Sequence, residues 1–229
     1  IDYSKVFANN KLELNHPITG ETKSLCSNTD DNNKVLIAIA KTSNDTYVGT
    51  DLSSEYFMYP DTNTSTIQLC GDSLSNILNT AIAYAVNTNS RYLFFLGDRI
   101  QMPVDGLYKL YECITQSNLS VVTGYYCDEN CHPTWSHVFE SGKRIVYNMN
   151  ESNPDIECIE CNESIPYQCM LIDTSIFKGI AFPYISELSD IIRICYINNV
   201  RTYVNTCVKC GFVSKDHNDI LYDKDIVYV

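Results

Sequence analysis

The sequence predicts an α/β domain built on a mostly parallel sheet, and three observations predict it. Short apolar runs recur along the first 126 residues, each closed by a polar turn. Two of the gaps between them carry apolar residues at helical spacing. The resulting order, strand–helix–strand–helix–strand, implies right-handed crossovers between parallel strands.

Residues 1–33 are polar and weakly patterned, with Pro17, Gly20 and an Asn/Asp cluster at 28–33, and read as an extension ahead of the main fold, which spans 34–229. The run 34–40 (KVLIAIA) is a buried strand closed by a polar turn at 41–45. A short helix is expected within 46–60 and a second strand over 66–70, closed by Gly71, Asp72 and Ser73. Leu74, Ile77, Leu78, Ala81, Ile82 and Ala85 then fall on one helical face, with Ser73 or Asp72 as N-cap. The run 91–96 ends at Gly97 and Asp98, and its aromatic, unbroken apolar character is that of a strand covered on both faces. Asp105 can cap a second helix carrying Leu107, Leu110, Tyr111 and Ile114, followed by a strand over 120–126.

The C-terminal half is irregular. Residues 127–165 mix polar and apolar positions with turn signals and suggest hairpins or a long loop. A strand over 168–172, a short helix from Asp173, a helix over 187–198 and a last strand over 201–207 complete the expectation.

The chain has 229 residues and a formal net charge of −12, which argues against a nucleic-acid backbone or an anionic membrane as the main partner. No stretch approaches the roughly 20 apolar residues of a spanning helix, so no transmembrane segment and a cytoplasmic location are expected. The chain opens at Ile1 rather than methionine, as a processed product or an excised piece would. An acidic protein that handles phosphates needs a metal ion or a few well-placed Lys and Arg.

Polar residues just past the carboxyl end of a buried strand stand where open α/β sheets bind ligands. That makes Asp98 the first candidate. The plainer role for such a residue is a solvated turn, and for Arg99 a structural arginine.

Taken together, the residues at these joints resemble the GT-A nucleotide-sugar glycosyltransferases, particularly small family-2-like members from bacteria and large DNA viruses. The likeness covers about residues 34–213. Lys41 and Thr42 look like the family's nucleotide-contacting loop, and the helix with Asn79 resembles its Arg-Asn helix, with Leu78 where the Arg is usual. Residues 94–103 (FFLGDRIQMP) resemble the stretch ending in the Asp-x-Asp metal motif. Residues 121–126 and 168–172 resemble two further strands of the family, and Ser186–Asp190 falls where an acidic pair opens a helix.

The resemblance implies a GT-A-like, Rossmann-like fold and transfer of a sugar from a nucleotide-diphosphate donor to a glycan or protein hydroxyl acceptor, by an inverting route. Asp98 would bind Mn2+ or Mg2+. Asp72 would accept from the base ring. Glu187 and Asp190 are the candidates for the base that takes the acceptor proton, with Glu187 preferred; the plainer role of the pair is to cap an exposed helix start. The sequence departs from the family at Arg99, where the second carboxylate is usual, and at Phe212, where a late metal-binding His is usual. Arg99 could itself supply a fixed positive charge to the departing diphosphate. A non-catalytic binding or assembly relative of the same fold is the alternative.

Eleven cysteines include Cys158-x-x-Cys161 and Cys207-x-x-Cys210. Four thiolates in two such pairs could hold structural Zn2+ and make the chain a zinc-stabilised interaction module. The 45 intervening residues exceed the spacing of compact zinc modules, and disulfides are not expected.

Overall fold

The computed structural model describes residues 23–25, 33–42, 59–60, 63–126, 137–138, 144–145, 158–161, 165–177, 184–213 and 220–221. Its centre is an eight-stranded sheet in the order β1-β3-β2-β4-β10-β6-β11-β9. The strands are β1 (Lys23–Leu25), β2 (Val35–Lys41), β3 (Thr64–Cys70), β4 (Tyr92–Leu96), β6 (Val121–Tyr125), β9 (Cys158–Cys161), β10 (Cys169–Asp173) and β11 (Thr202–Lys209). β3, β2, β4, β6 and β11 run one way, and β1, β10 and β9 oppose them. The α/β, Rossmann-like, mostly parallel sheet expected from the sequence is therefore present.

Two details differ from that expectation. Residues 23–25 lie within the expected extension yet pair antiparallel with β3 as an edge strand. β4 is parallel to β2 on one side and antiparallel to β10 on the other. Strands covered on both faces are apolar throughout whichever way they run, so composition does not report direction.

Successive residues of the central strands feed two cores. Leu36, Ala38, Ala40, Leu93 and Phe95 enter one, while Val35, Ile37, Ile39, Phe94 and Leu96 enter the other. Helix α1 (Leu74–Asn87) covers the first face with Ile77, Leu78, Ala81, Ile82 and Ala85. Helix α2 (Gly106–Gln116) covers the second with Leu107, Leu110 and Ile114. Helix α3 (Asp190–Ile197) returns to the first face through Ile191, Ile194 and Cys195. Phe94 and Phe95 are fully buried, each contributing about 1.5–3 kcal/mol by leaving water.

Ser73 caps α1, accepting from the Asn76 amide at 3.2 Å. Asp105 stands at the α2 N-cap without a capping hydrogen bond and instead pairs with Lys109 at 2.7 Å. All three α-helices among the described residues end alike: Asn89, Asn118 and Asn199 adopt positive φ just beyond the last turn. The next residue's amide then bonds back, Ser90 to Ala85, Leu119 to Ile114 and Val200 to Cys195, the 6→1 closure of a Schellman motif. Asparagine tolerates this left-handed position better than other side chains.

The short helix expected from Asp173 is a 3-10 turn over Thr174–Phe177. Small sheets β5 (Ile100–Gln101), β12 (Gly211–Val213), β13 (Ile220–Leu221) and β7 (His137–Val138) with β8 (Arg144–Ile145) complete the elements. The helix expected within 46–60 lies almost entirely outside the described residues. Cys113 on α2 and Cys158 on β9 form a disulfide, contrary to expectation; α2 packs on the face from which Cys158 projects. Among the described residues no helix is long and apolar enough to cross a membrane.

Candidate functional site

The chain leaves β2 toward β3 on one side and leaves β4 toward β6 on the other. The carboxyl ends of β2 and β4 therefore flank a topological switch point, where α/β sheets open a crevice for ligands. Thr42 follows β2 and Asp98 follows β4. The Thr42 amide donates to Asp98 Oδ2 at 3.0 Å, and the Thr42 hydroxyl donates to the same oxygen. Asp98 is only 6% exposed, so its carboxylate is a built feature rather than a solvated turn.

Arg99 follows directly, its guanidinium carbon 4.5 Å from the centre of the Phe212 ring. Phe212 in turn stacks on Tyr126 at 6.0 Å with the rings 8° from parallel. A planar cation over an aromatic face is held by the ring quadrupole. Burial pushes the Tyr126 phenol far above its ordinary value, so it remains neutral. Arg99 and Phe212, which stand where the resemblance led to an expectation of metal ligands, are thus in contact with each other.

Gln168, immediately before β10, was not singled out by its sequence. Its carbonyl accepts from the Gly97 amide at 2.7 Å. Its side chain lies over Gly97, where an added Cβ would stand 2.5 Å from Gln168 Oε1. That oxygen is buried and finds no hydrogen-bond partner among the described residues, which marks an acceptor a ligand could satisfy. The available signal was position alone, since the start of an antiparallel strand reaches the same edge as the ends of its parallel neighbours.

Asp72 is exposed just past β3, at the same edge, and Lys41 ends β2 there. Asn79 is occupied differently from the expectation. Its amide donates to the Ile185 carbonyl at 2.8 Å and to the Ser75 carbonyl at 2.9 Å, and its oxygen accepts from the Ile185 amide at 3.1 Å. It clamps the segment ahead of α3 onto α1. Polar atoms engaged in this way are not available to a nucleotide.

The acidic pair divides by role. Asp190 Oδ2 accepts from the Ser186 amide and hydroxyl and from the Glu187 amide, at 3.0, 2.7 and 3.1 Å, while Oδ1 faces Arg193 at 3.3 Å. Hydrogen bonds from the Ser186 hydroxyl and the Glu187 backbone hold its carboxyl below the ordinary value. Asp190 is the cap of its own loop, and a carboxyl so stabilised is a weak base. Glu187 is exposed, and among the described residues its carboxylate accepts from the Ser189 hydroxyl at 3.4 Å. The Asn79 clamp brings this loop against the first half of α1, on the side of the sheet where the strands end.

The described residues do not fit a protein-held divalent cation at Asp98. They offer one carboxylate, with Oδ2 already accepting two hydrogen bonds, next to a guanidinium, and no group of three His, Cys, Asp or Glu side chains converges among them. The four thiols proposed for zinc are not brought together. Cys158 is in the disulfide, Cys161 lies in the core under α1 and α3, Cys210 lies in the opposite core, and Cys207 is exposed.

Neither a protein-family model nor a curated protein matches the sequence. Among solved structures, the crystal structure of A197 from STIV is similar with a TM-score of 0.51 at 15% identity, over 86% of this chain and 97% of that one. The S. aureus TarS fragment 1–349, solved in complex with UDP, gives a TM-score of 0.46 at 13% identity, over 76% of this chain and 58% of that one. At such identities similarity speaks to the fold, and the first of the two carries it.

Proposed function

We propose that this chain binds a nucleoside-diphosphate sugar across the carboxyl ends of β2 and β4 and transfers the sugar to a hydroxyl acceptor. The observation that carries the reading is the Thr42–Asp98 pair, which spans the switch point with Asp98 buried and Arg99 fixed beside it. The succession of strands and joints that resembles nucleotide-sugar glycosyltransferases supports it. Asp72 stands by for the base ring, and Gln168 Oε1 for a donor of the ligand. Displacement at the sugar needs charge on the departing diphosphate to be neutralised. Arg99 meets that need without a metal, and its planar fork suits phosphate oxygens. Glu187 is the base that takes the acceptor proton.

Titration calorimetry with nucleoside diphosphates, in EDTA and in manganese, tests this. Binding is expected in EDTA and unchanged by manganese. Arg99→Met should weaken it by about 10- to 100-fold, the loss of a charge-assisted contact of roughly 1.5–3 kcal/mol. Failure of every nucleotide to bind under both conditions would sink the proposal. Binding without turnover of any sugar donor would favour the non-catalytic relative, whose motivating observation is that one of the two candidate bases, Asp190, is consumed as a cap.

A further inference from the structure

Three sulfur atoms meet in the core beneath α2, with Cys169 directly after Gln168 and Cys210 two residues before Phe212. Cys169 Sγ lies 3.2 Å from Met102 Sδ, Cys210 Sγ lies 3.6 Å from the same Met102 Sδ, and the two cysteine sulfurs are 3.6 Å apart. Cys169 and Cys210 are fully buried and Met102 is 4% exposed. The residues are 67, 41 and 108 positions apart in sequence, so the meeting is a product of the sheet register.

Gly124 makes the triangle possible. β6 runs between β10 and β11, and Gly124 sits on it beside Cys169. A Cβ there would stand 3.1 Å from Cys169 Sγ and 2.9 Å from Val208 Cγ1. Without one, the thiols of Cys169 on β10 and of Cys210 just past β11 reach over β6 and touch.

Oxidation to a disulfide does not suit this pair. Strands separated by a third lie about 9–10 Å apart, whereas disulfides need Cα atoms within roughly 4.4–6.8 Å. A shared ion does suit it, because it bridges sulfurs without drawing backbones together. A point at the middle of the triangle is about 2 Å from each sulfur, a few tenths short of a ~2.3 Å metal–sulfur bond. Small rotamer adjustments close that difference.

The geometry points to a site for Cu(I), held by the thiolates of Cys169 and Cys210 and the thioether of Met102. Thiolate and thioether together select a soft monovalent ion. Zinc would ask for a fourth ligand and rarely accepts a thioether. Binding releases two thiol protons to solvent and leaves one net negative charge.

The test is anaerobic titration of the full chain with Cu(I) against a colorimetric Cu(I) chelator, together with copper X-ray absorption. The expected result is one tightly held Cu(I) with three sulfurs near ~2.3 Å. Cys210→Ser should abolish it, and the exposed Cys207→Ser should leave it intact. Met102→Leu conserves volume and should fold; it should lower the affinity by roughly tenfold or more and leave two sulfur neighbours, since even partners outside the ligand shell are worth 10–100-fold. The site fails if no Cu(I) is retained against the chelator. It fails equally if the tightest ion persists unchanged in Met102→Leu and Cys210→Ser, or is lost in Cys207→Ser.

Discussion

Replacing Asn79 by alanine separates two roles that its sequence position allows. In the structure its amide exchanges two hydrogen bonds with the backbone of Ile185, which is completely buried. Asn79→Ala leaves the Ile185 N–H and C=O without those partners. Each unsatisfied buried group costs about 1–3 kcal/mol. The bond to the Ser75 carbonyl adds nothing to this, since that carbonyl belongs to the helix ladder. Alanine recovers roughly half a kcal/mol of helix propensity. A net loss of about 1.5–5.5 kcal/mol follows, which in a chain of this size lowers Tm by roughly 2–4 °C per kcal/mol. Urea unfolding gives the stability, and nucleotide titration the affinity. The affinity should fall less than threefold, whereas the Ile185 amide should exchange much faster. The clamp reasoning is refuted if stability stays within ~0.5 kcal/mol of the parent while nucleotide binding is lost, because Asn79 would then be a ligand contact.

Gly124→Ala places a methyl 3.0 Å from the Val208 carbonyl oxygen and against Cys169; overpacking of this kind should cost about 1–3 kcal/mol in urea unfolding. The Asp190 carboxyl is depressed by its loop hydrogen bonds, so the stabilisation it gives is present above the ordinary carboxylate range and lost as pH falls through its lowered value. The protection factors of the Ser186 and Glu187 amides against hydrogen exchange should therefore fall in acid, and Asp190→Asn should remove that dependence. Burial, aided at Cys161 by the charge of Glu160, pushes the Cys161 and Cys195 thiols up to about 12. Iodoacetamide at pH 8 should label exposed Cys207 and leave both unlabelled until urea unfolds the chain, as peptide mass mapping would show. Those two thiols favour the fold below their unfolded values, and that contribution declines as pH rises from about 9 toward 12.

Much of the frame was legible because burial on two faces leaves a mark in composition. The runs at 34–40, 91–96 and 120–126 became β2, β4 and β6 within a residue or so, and the periodic helix from Leu74 became α1. Direction was not legible: β10 reads like its parallel neighbours yet runs against them. The helix stops carried a signal that went unread, since Asn89, Asn118 and Asn199 each stand two residues past a helix end and take the left-handed conformation. At the candidate site, the placement of Thr42 and Asp98 just past strand ends was legible, and what the residues do was not. Ser186 to Asp190 is the same string whether its acids abstract protons or cap a loop. The Ser186 and Glu187 amides aimed at Asp190 Oδ2 decide for that residue. Asn79 was ambiguous in the same way, because an amide that can contact a nucleotide can equally mimic a backbone pair. The sulfur triangle had no local signal, as its members meet only through register across β6.

On the proposed reading, charge gives the substitutions at 99 and 212 a common logic. A carboxylate in place of Arg99 would leave two acids at the end of β4 facing a diphosphate, an arrangement that only a divalent cation makes tolerable. With Arg99 there, the residue after Asp98 brings a cation in place of a second acid. A divalent cation within about 4 Å of the guanidinium would meet a repulsion of roughly 8 kcal/mol at a surface-like effective dielectric of about 20. A ring under the guanidinium, 4.5 Å away, then serves better than an imidazole, because it fixes the direction of the fork and offers no lone pair to compete for. On that reading the two residues act together, and they are in contact in the fold.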